Sequence, residues 1–290
     1  MRAMKIAGLQ KLTLLDYPGK TAASIFTLGC NFRCPFCHNA DLVVPLAPDL
    51  KPSFLSEEEF FSFLQKRKGL LDGICITGGE PTLQSDLGSF CKKIKDQGFL
   101  VKLDTNGSHP DILNNLISLD LVDYVAMDIK NSPDHYAQTV GLDAPLTHTP
   151  PTGTPLTSAS STGTPLTDTL SVGTPLTSTP PQTLLLPRLE KSMRLLLQSS
   201  IPFEFRTTVL TQLHTPATLI DTAQWIASLA KEESYPCDCV CWFIQQFVDS
   251  DTVLAGKGTF SAWDENEFDE ILPSLQAILP RTALRGVSRT

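Results

Sequence analysis

Short apolar segments alternate with helical segments along most of this 290-residue chain, and this alternation limits the folds that it can adopt. Six segments are predicted as strands: Ala22–Leu28, Gly73–Thr77, Phe99–Leu103, Tyr124–Ile129, Phe203–Leu210 and Val240–Phe247. Five are predicted as helices: Ser56–Lys68, Leu83–Gln97, Asp111–Leu119, Pro187–Gln198 and Pro216–Ala230. Repeated strand–helix units with short links call for parallel strands covered by helices, so the pattern predicts an α/β fold. The number of units favours a barrel or partial barrel over a doubly wound sheet.

Polar residues follow four of the predicted strands, at Cys30–His38, Gly78–Glu80, Asp104–Gly107 and Asp128–Lys130. The carboxyl ends of parallel strands meet at one edge of a sheet or one mouth of a barrel, and ligands bind there in such folds. The sequence therefore predicts one site built from all four loops.

Residues 144–183 break the alternation. This segment consists mainly of Thr, Pro, Ser, Gly and Leu, and its unit A/T-P-L-T recurs every ten residues, at Ala144–Thr147, Thr154–Thr157, Thr164–Thr167 and Thr174–Thr177. Such a composition buries too little apolar area to offset the entropy of ordering, which predicts a disordered insertion within one domain spanning residues 1–290. A β-solenoid is the competing interpretation, although a proline at the same phase of every unit opposes it.

The composition restricts the class of protein further. Lys and Arg total 23 against 31 Asp and Glu, and the net charge of −8 argues against a nucleic-acid or anionic-membrane surface. No apolar run reaches the roughly 20 residues of a membrane span, and Gln10, Lys11 and Asp16 interrupt any signal-peptide core. We therefore expect a cytoplasmic protein whose eight cysteines are ligands or buried thiols.

Three of the cysteines form one loop directly after the first predicted strand. Cys30, Cys34 and Cys37 have the spacing C-x3-C-x2-C, which suits three corners of a cubic [4Fe–4S] cluster and leaves one iron open. A structural zinc site would need four ligands, and neither His38 nor a second cysteine pair is placed to supply the fourth. The alternative interpretation is that the three cysteines are buried thiols of the core. The polar residues between them are, however, typical of a loop.

Two motifs together resemble those of the radical S-adenosylmethionine (SAM) superfamily: this loop, with Phe36 before its third cysteine, and Thr77–Pro81 (TGGEP) after the second strand. The resemblance implies a partial (β/α)6 barrel in which the three cysteines hold the cluster and the amine and carboxylate of SAM bind the open iron. It implies that Phe36 and His38 line the adenine. It also implies that the methionyl amine is held by Gly78, Gly79 and Glu80.

The closer resemblance is to the activating enzymes of glycyl-radical proteins. It is carried by four blocks: Leu15–Lys20 (LDYPGK), Cys37–Asn39 (CHN), Leu103–Gly107 (LDTNG) and Met127–Lys130 (MDIK). Within that group, three segments are most similar to the anaerobic ribonucleoside-triphosphate reductase activating proteins: Lys5–Lys20, Phe203–Val209 (FEFRTTV) and Gln245–Phe247 (QQF).

This closer resemblance implies further roles for individual residues. Asp104, Asp128 and Lys130 face bound SAM, and Asp104, Thr105 and Asp128 also hold a monovalent cation. Asp16 faces the glycine loop of the partner, although an aspartate before Tyr-Pro-Gly is also typical of a turn.

The implied activity is the reductive cleavage of SAM and the formation of a glycyl radical on a partner enzyme, with flavodoxin or ferredoxin as electron donor. An activator of pyruvate formate-lyase or of another glycyl-radical enzyme is the nearest competing function, although Phe247 stands where the pyruvate formate-lyase activators have a histidine. Two more distant functions also compete: a radical SAM enzyme that acts on a small molecule, and a non-catalytic iron–sulfur redox sensor or scaffold.

The remaining cysteines and histidines match no motif of that group. Alternation with period two predicts that Cys237, Cys239 and Cys241 share one strand face as buried thiols, and a second metal site is the competing interpretation. Cys75 and Cys91 are predicted in the core. Four histidines are predicted to be solvated: His109, His135, His148 and His214.

The insertion is predicted to act as a spacer. Deleting Leu146–Thr183 is expected to leave cluster content and SAM cleavage unchanged, because a long flexible loop adds little to the free energy of folding. Iron and sulfide analysis, together with assay of 5′-deoxyadenosine, checks this expectation. Loss of either property would contradict the spacer interpretation.

Overall fold

A sheet of eight strands, paired in chain order, forms the centre of the computed structural model, which describes residues 4–43, 54–142 and 182–287. The strands are β1 (Ile6–Thr13), β2 (Ala22–Thr27), β3 (Gly73–Gly78), β4 (Leu100–Thr105), β5 (Tyr124–Asp128), β6 (Phe203–Val209), β7 (Cys241–Gln246) and β8 (Arg281–Arg285). The helices are α1 (Ala40–Val43), α2 (Glu57–Gln65), α3 (Leu87–Asp96), α4 (Pro110–Ser118), α5 (Pro133–Thr139), α6 (Gln182–Gln198), α7 (Pro216–Glu232) and α8 (Glu265–Ile278).

The strand directions confirm the predicted α/β fold. Strands β2 to β8 are parallel, and β1 pairs antiparallel with β2. Within the described ranges β1 and β8 are the two ends of the sheet and do not pair with each other, so the barrel is partial. The six predicted strands correspond to β2–β7, and their carboxyl ends lie at one mouth.

Local sequence explains how the helices begin. Ser56 caps α2 and shares reciprocal hydrogen bonds with Glu59, which form a capping box. Phe60 of α2 stacks on Phe90 of α3 with ring centroids 5.2 Å apart, and both rings are buried against the sheet. Burial of apolar surface of this kind is the main force that holds the helices to the strands.

Five elements of the structure were not predicted. They are β1, the four-residue helix α1, α5, α8 and β8. Helix α5 has seven residues and β8 has five, too few for a clear period, and Pro273 interrupts the pattern of α8. Strand β1 has a mostly half-buried or exposed pattern because it is an edge strand.

Two predictions about segments need correction. Cys237–Cys239 forms a short 3-10 turn and only Cys241 begins β7, so the prediction of one strand face was wrong; Pro236 precedes the turn and Cys239 is exposed. Of the predicted insertion, residues 144–181 lie outside the described residues, and its last two residues begin α6. A deletion that preserves this helix therefore ends at residue 181.

A search of the described helices finds none with the length and hydrophobicity needed to cross a membrane.

The end of α5 packs against the cysteine loop. The amide of Arg33 donates a hydrogen bond to the Val140 carbonyl at 2.9 Å. Gly141 follows with φ +73°, and a Cβ at this position would lie 2.3 Å from the Arg33 carbonyl oxygen. The loop that carries the cysteines therefore depends on a glycine that is distant in sequence.

Gly141→Ala is expected to lower the free energy of unfolding by more than Gly69→Ala does. Both glycines have left-handed backbones (φ +73° and +77°), which cost an alanine about 1–2 kcal/mol. Only at Gly141 does the new methyl group collide with backbone, which adds about 1–3 kcal/mol. At Gly69 nothing lies within 4 Å, so this variant is the matched control. Urea unfolding of both variants checks the difference, and equal losses would contradict the role of the contact.

Candidate cofactor site

One cavity lies where the four polar loops meet at the carboxyl ends of the strands. Its lining includes nearly every residue that the sequence predicted for the site: Cys30, Cys34, Phe36, Cys37, His38, Gly78, Gly79, Glu80, Asp104, Thr105, Asp128 and Lys130. It also includes Arg206 and Thr208, which the sequence analysis did not place in the site, and Asn106, to which it gave no role of its own. The fold thus brings together side chains from five strand ends.

The cysteine loop is held on several sides by backbone hydrogen bonds. Besides the bond from Arg33 to α5, the amide of Gly29 donates to the Leu42 carbonyl at 2.7 Å. In the loop after β7, the amide of Leu254 donates to the Cys37 carbonyl and the amide of Ala255 to the Pro35 carbonyl, both at 2.9 Å. These bonds fix the path of the loop without using the thiols.

Two of the three thiols are deeply buried. Burial raises the pKa of Cys30 to about 12, and the neighbouring Cys34 and Glu80 add to the shift. Burial also raises the pKa of Cys34 to about 12, although Lys130 opposes the shift. Metal binding at this loop must therefore displace protons from thiols.

The three thiols match the donor set of an iron–sulfur cube. In the described part of the chain no three Cys, His, Asp or Glu side chains converge closely enough to hold a single ion. A cube has no need of such convergence, because each thiolate binds a different iron. The cysteine loop carries three thiols for three corners, and all three line the cavity.

Two glycines allow β3 to end directly against the cysteine loop. Gly78 has φ +115°, and a Cβ there would lie 2.3 Å from the Thr27 nitrogen. A Cβ on Gly79 would lie 2.1 Å from the Gly29 carbonyl oxygen. No other residue type fits at either position without moving backbone, and the next residue, Glu80, is thereby placed beside the thiols.

Glu80 is a buried carboxylate, 1% exposed, in a pocket of neutral hydrogen-bond donors. Its oxygens accept hydrogen bonds from the backbone N–H and the hydroxyl of Thr82 (3.0 and 2.5 Å), from the Thr105 hydroxyl (2.8 Å) and from the backbone N–H of Asn106 (2.7 Å). Burial raises its pKa despite these donors. Among the described side chains no Lys, Arg or His forms an ion pair with it, so a bound ammonium group would supply the missing charge.

Charged residues on or next to β4, β5 and β6 form one connected series of ion pairs. Arg206 contacts both carboxylates, with Nη1 3.2 Å from Asp104 and Nε 2.9 Å from Asp128. Lys130 pairs with Asp128 at 2.8 Å, and the buried Lys102 pairs with Asp104. The sequence signal for Arg206 was a charged residue inside an apolar strand, and its significance depends on where β6 lies.

These ion pairs keep both carboxylates charged. Burial alone would raise the pKa of Asp128, but Arg206 and Lys130 outweigh it and lower the value to about 2. For Asp104, burial is likewise outweighed by Arg206 and Lys102, so its pKa is also lowered.

The residues predicted for a monovalent cation already have other partners. Asp104 and Asp128 accept bonds from Lys102, Arg206 and Lys130, as described above. The Thr105 hydroxyl donates to Glu80 rather than to either aspartate. The cation site stays a prediction.

Asp16 does not line the cavity. Its carboxylate accepts a hydrogen bond from the Ser24 hydroxyl at 2.5 Å, and its amide donates to the Thr13 hydroxyl at 3.2 Å. This places the side chain against the middle of β2, within the turn that joins β1 to β2. Its role toward a partner stays a prediction.

The histidines differ in their surroundings. His38 lies beside Phe247 with ring centroids 5.2 Å apart, and its Nε2 contacts the Val248 carbonyl. His214 was predicted to be solvated, and this was wrong: it is 2% exposed, and its Nε2 donates to the Lys130 carbonyl at 2.8 Å. His109 is also largely enclosed, with Nδ1 3.1 Å from the Thr82 and Ser108 hydroxyls. His148 lies outside the described residues.

Comparison with known families agrees with this site. Residues 24–145 match the model of the Radical SAM superfamily. The matched range contains the cysteine loop, the Gly-Gly-Glu turn and both aspartates. A [4Fe–4S] cluster and SAM are the cofactors of that superfamily, which confirms the cofactors expected from the sequence.

Two curated relatives match part of the chain. A protein of Methanocaldococcus jannaschii, provisionally named a glycyl-radical enzyme activating enzyme, is 41% identical over 143 residues, which are 48% of this chain and 55% of that protein. The pyruvate formate-lyase-activating enzyme of Clostridium pasteurianum is 31% identical over 139 residues, 45% of this chain and 54% of that enzyme. The chain thus spans about half the length of the curated relatives that it matches.

Solved structures share the fold. SuiB of Streptococcus suis, bound to its precursor peptide SuiA, superimposes with a TM-score of 0.53 at 12% identity over 90% of this chain and 49% of that one. TYW1 with a lysine–pyruvate adduct has a TM-score of 0.50 at 12% identity over 88% of this chain and 73% of that one. At this identity the likeness concerns the fold alone.

Acid is expected to remove the stabilisation that Asp128 contributes. Its pKa is about 2 in the folded protein against an ordinary 3.8, so the contribution is fully present above about pH 4 and is lost as the pH falls toward 2. The loss is on the order of 2 kcal/mol.

Asp128→Asn should therefore show a shallower dependence of unfolding free energy on pH between 4 and 2, measured by urea unfolding at each pH. Asp134→Asn is the matched control, because Asp134 is an exposed aspartate that pairs with no described Lys or Arg. A slope in Asp128→Asn equal to that of the wild type would contradict the ion-pair assignment.

Proposed function

We propose that this protein is a radical SAM enzyme that cleaves SAM reductively and generates a glycyl radical on a partner enzyme. The partner that the sequence resemblance favours is anaerobic ribonucleoside-triphosphate reductase. The observation that carries the proposal is the buried Glu80, which pairs with no described cation, beside three thiols of one loop. This combination suits an ammonium ligand next to a cluster.

The chain's own residues divide the binding of the two cofactors. Cys30, Cys34 and Cys37 would hold three irons of a [4Fe–4S] cluster. The turn formed by Gly78, Gly79 and Glu80 would hold the methionyl amine, because its glycines bring backbone oxygens close and Glu80 supplies a negative charge. Phe36 and His38 would line the adenine.

The charged residues at the ends of β4 and β5 would orient the rest of SAM. Asp104, Asp128 and Lys130 face the same cavity, and their ion pairs with Arg206 and with each other hold them in place before a ligand arrives. Groups held in position by ion pairs need little rearrangement on binding, which favours a single orientation of the ligand. A monovalent cation near Asp104, Thr105 and Asp128 is part of this proposal.

When bound, the cofactors supply a low-potential electron, cleavage of the sulfonium bond and removal of a hydrogen atom from the partner's glycine. The protein excludes water around this chemistry by packing Phe32, Phe36 and Val43 along the cavity. We propose flavodoxin or ferredoxin as the source of the electron. A glycine loop of the partner must reach the mouth of the barrel, with Asp16 as a contact.

The relatives support the reaction class more than the partner. Both relatives are named as activating enzymes, one of them for pyruvate formate-lyase. An activator of pyruvate formate-lyase or of another glycyl-radical enzyme is therefore the second candidate. Against the first of these, Phe247 stands where the pyruvate formate-lyase activators have a histidine, and here its ring lies beside His38.

The decisive experiment uses protein reconstituted anaerobically with iron and sulfide. With dithionite and SAM, the wild type is expected to form 5′-deoxyadenosine, whereas Cys34→Ala, which removes one cluster ligand, is expected to form none. Mixing the active protein with anaerobic ribonucleoside-triphosphate reductase should then produce the electron paramagnetic resonance (EPR) signal of a glycyl radical. Pyruvate formate-lyase is the comparison partner.

Each outcome separates the candidates. A cluster without 5′-deoxyadenosine, even with a partner present, would favour the non-catalytic redox sensor or scaffold and would end the enzyme proposal. Cleavage of SAM with a radical on pyruvate formate-lyase only would change the partner. Cleavage without a glycyl radical on either partner would favour a small-molecule substrate.

A further inference from the structure

Three buried side chains, one of which belongs to the cysteine loop, form a closed ring of hydrogen bonds. Asn31 Nδ2 donates to Ser108 Oγ at 2.8 Å, and Ser108 Oγ donates to Asn106 Oδ1 at 2.6 Å. Asn106 Nδ2 donates to Asn31 Oδ1 at 2.9 Å and closes the ring. None of the three residues is more than 6% exposed. A ring of this kind, protected from water, holds each member in one orientation.

The ring determines which end of the Asn106 amide faces the thiol. Asn106 Oδ1 accepts two hydrogen bonds from Ser108, one from its amide at 3.0 Å and one from its hydroxyl at 2.6 Å. The oxygen is therefore occupied, and rotation of the amide would place its NH2 group against those donors. Only the nitrogen can face the cysteine loop.

The same nitrogen faces the sulfur of a cluster cysteine. Asn106 Nδ2 lies 4.0 Å from Cys30 Sγ, and the amide of Phe32 donates toward that sulfur from 3.4 Å. The separation of 4.0 Å is long for a hydrogen bond to sulfur. In a buried site, however, an N–H dipole acts on a nearby charge without direct contact, because little water screens it.

We propose that Asn106 is a positioning residue that raises the reduction potential of the cluster through Cys30, an inference that rests on the proposed function. Reduction adds negative charge to a cluster and its thiolates, and a fixed N–H dipole directed at a thiolate stabilises that added charge. Asn31 and Ser108 act by holding the Asn106 amide. The result is a cluster that a given electron donor reduces more completely.

The test is a redox titration of the reconstituted protein in the absence of SAM, in which EPR measures the amount of reduced cluster. Asn106→Leu keeps most of the side-chain volume and removes the N–H group, and Asn106→Ala removes both. Each variant is expected to lower the reduction potential of the cluster, so that the ratio of reduced to oxidised cluster falls about tenfold at the same solution potential. For a one-electron couple this is a shift of about 59 mV.

The matched control is Asn131→Ala. Asn131 is fully buried, and its side-chain nitrogen donates to the Thr139 hydroxyl at 2.9 Å and to the Leu213 carbonyl at 2.8 Å rather than to the cysteine loop. Loss of this amide is expected to lower stability and leave the potential unchanged. If the reduction potential shifts in the Asn106 variants and not in Asn131→Ala, the shift is due to the Asn106 side chain rather than to a general loss of packing.

The outcomes remain distinct from failure of the proposed function. If the wild type assembles no cluster, the proposed function fails before this inference is reached. If it assembles a cluster and the Asn106 variants match its potential at full iron content, the inference is overturned and the proposed function stands.

If the Asn106 variants lose the cluster, their potential cannot be measured. Pulsed EPR of the wild type with 15N in its asparagine side chains then tests the inference. A nitrogen coupled to the reduced cluster supports the inference, and its absence overturns it.

Discussion

The close approach of β3 to β2 at their carboxyl ends is the constraint on which the site depends. Gly78 and Gly79 leave no room for a Cβ against Thr27 and Gly29, so the two strand ends lie in direct backbone contact. This approach places Glu80 inside the protein, where it accepts hydrogen bonds from Thr105 and Asn106 of the next strand end. One buried carboxylate thus joins the loops that follow β3 and β4, and the backbone N–H of Glu80 donates to the Gly29 carbonyl at 2.8 Å.

The acidic residues that line the cavity differ in how their charge is balanced. Glu80 pairs with no cation of the described chain, and burial raises its pKa, so a positively charged ligand would stabilise its charged form. Asp104 and Asp128 already pair with Arg206 and with neighbouring lysines, and they remain charged in spite of burial. A ligand that is cationic at one end can therefore bind in one direction without leaving a buried charge unpaired.

Much of the fold and site could be predicted because the signals are local. The period of each strand and helix, the capping box of Ser56 and the spacing of the cysteines all lie within short stretches of chain. Two predictions failed for different reasons. Cys237 and Cys239 alternate like strand residues, but the adjacent Pro236 leads them into a turn. His214 resembles a loop histidine, yet it is buried, and a hydrogen bond to a carbonyl 84 residues away in sequence orients its ring.

The sequence by itself determined the α/β architecture, the three-thiol loop and the Gly-Gly-Glu turn, because each depends on neighbours along the chain. Only the tertiary structure decided which charges meet: Arg206 bridges two aspartates from β4 and β5, and Asn106 is oriented by Asn31 and Ser108. It also separated Asp16 from the cavity by bonding it to Ser24. Contacts of this kind depend on the register and curvature of the sheet, which place residues far apart in sequence within a few ångströms of each other.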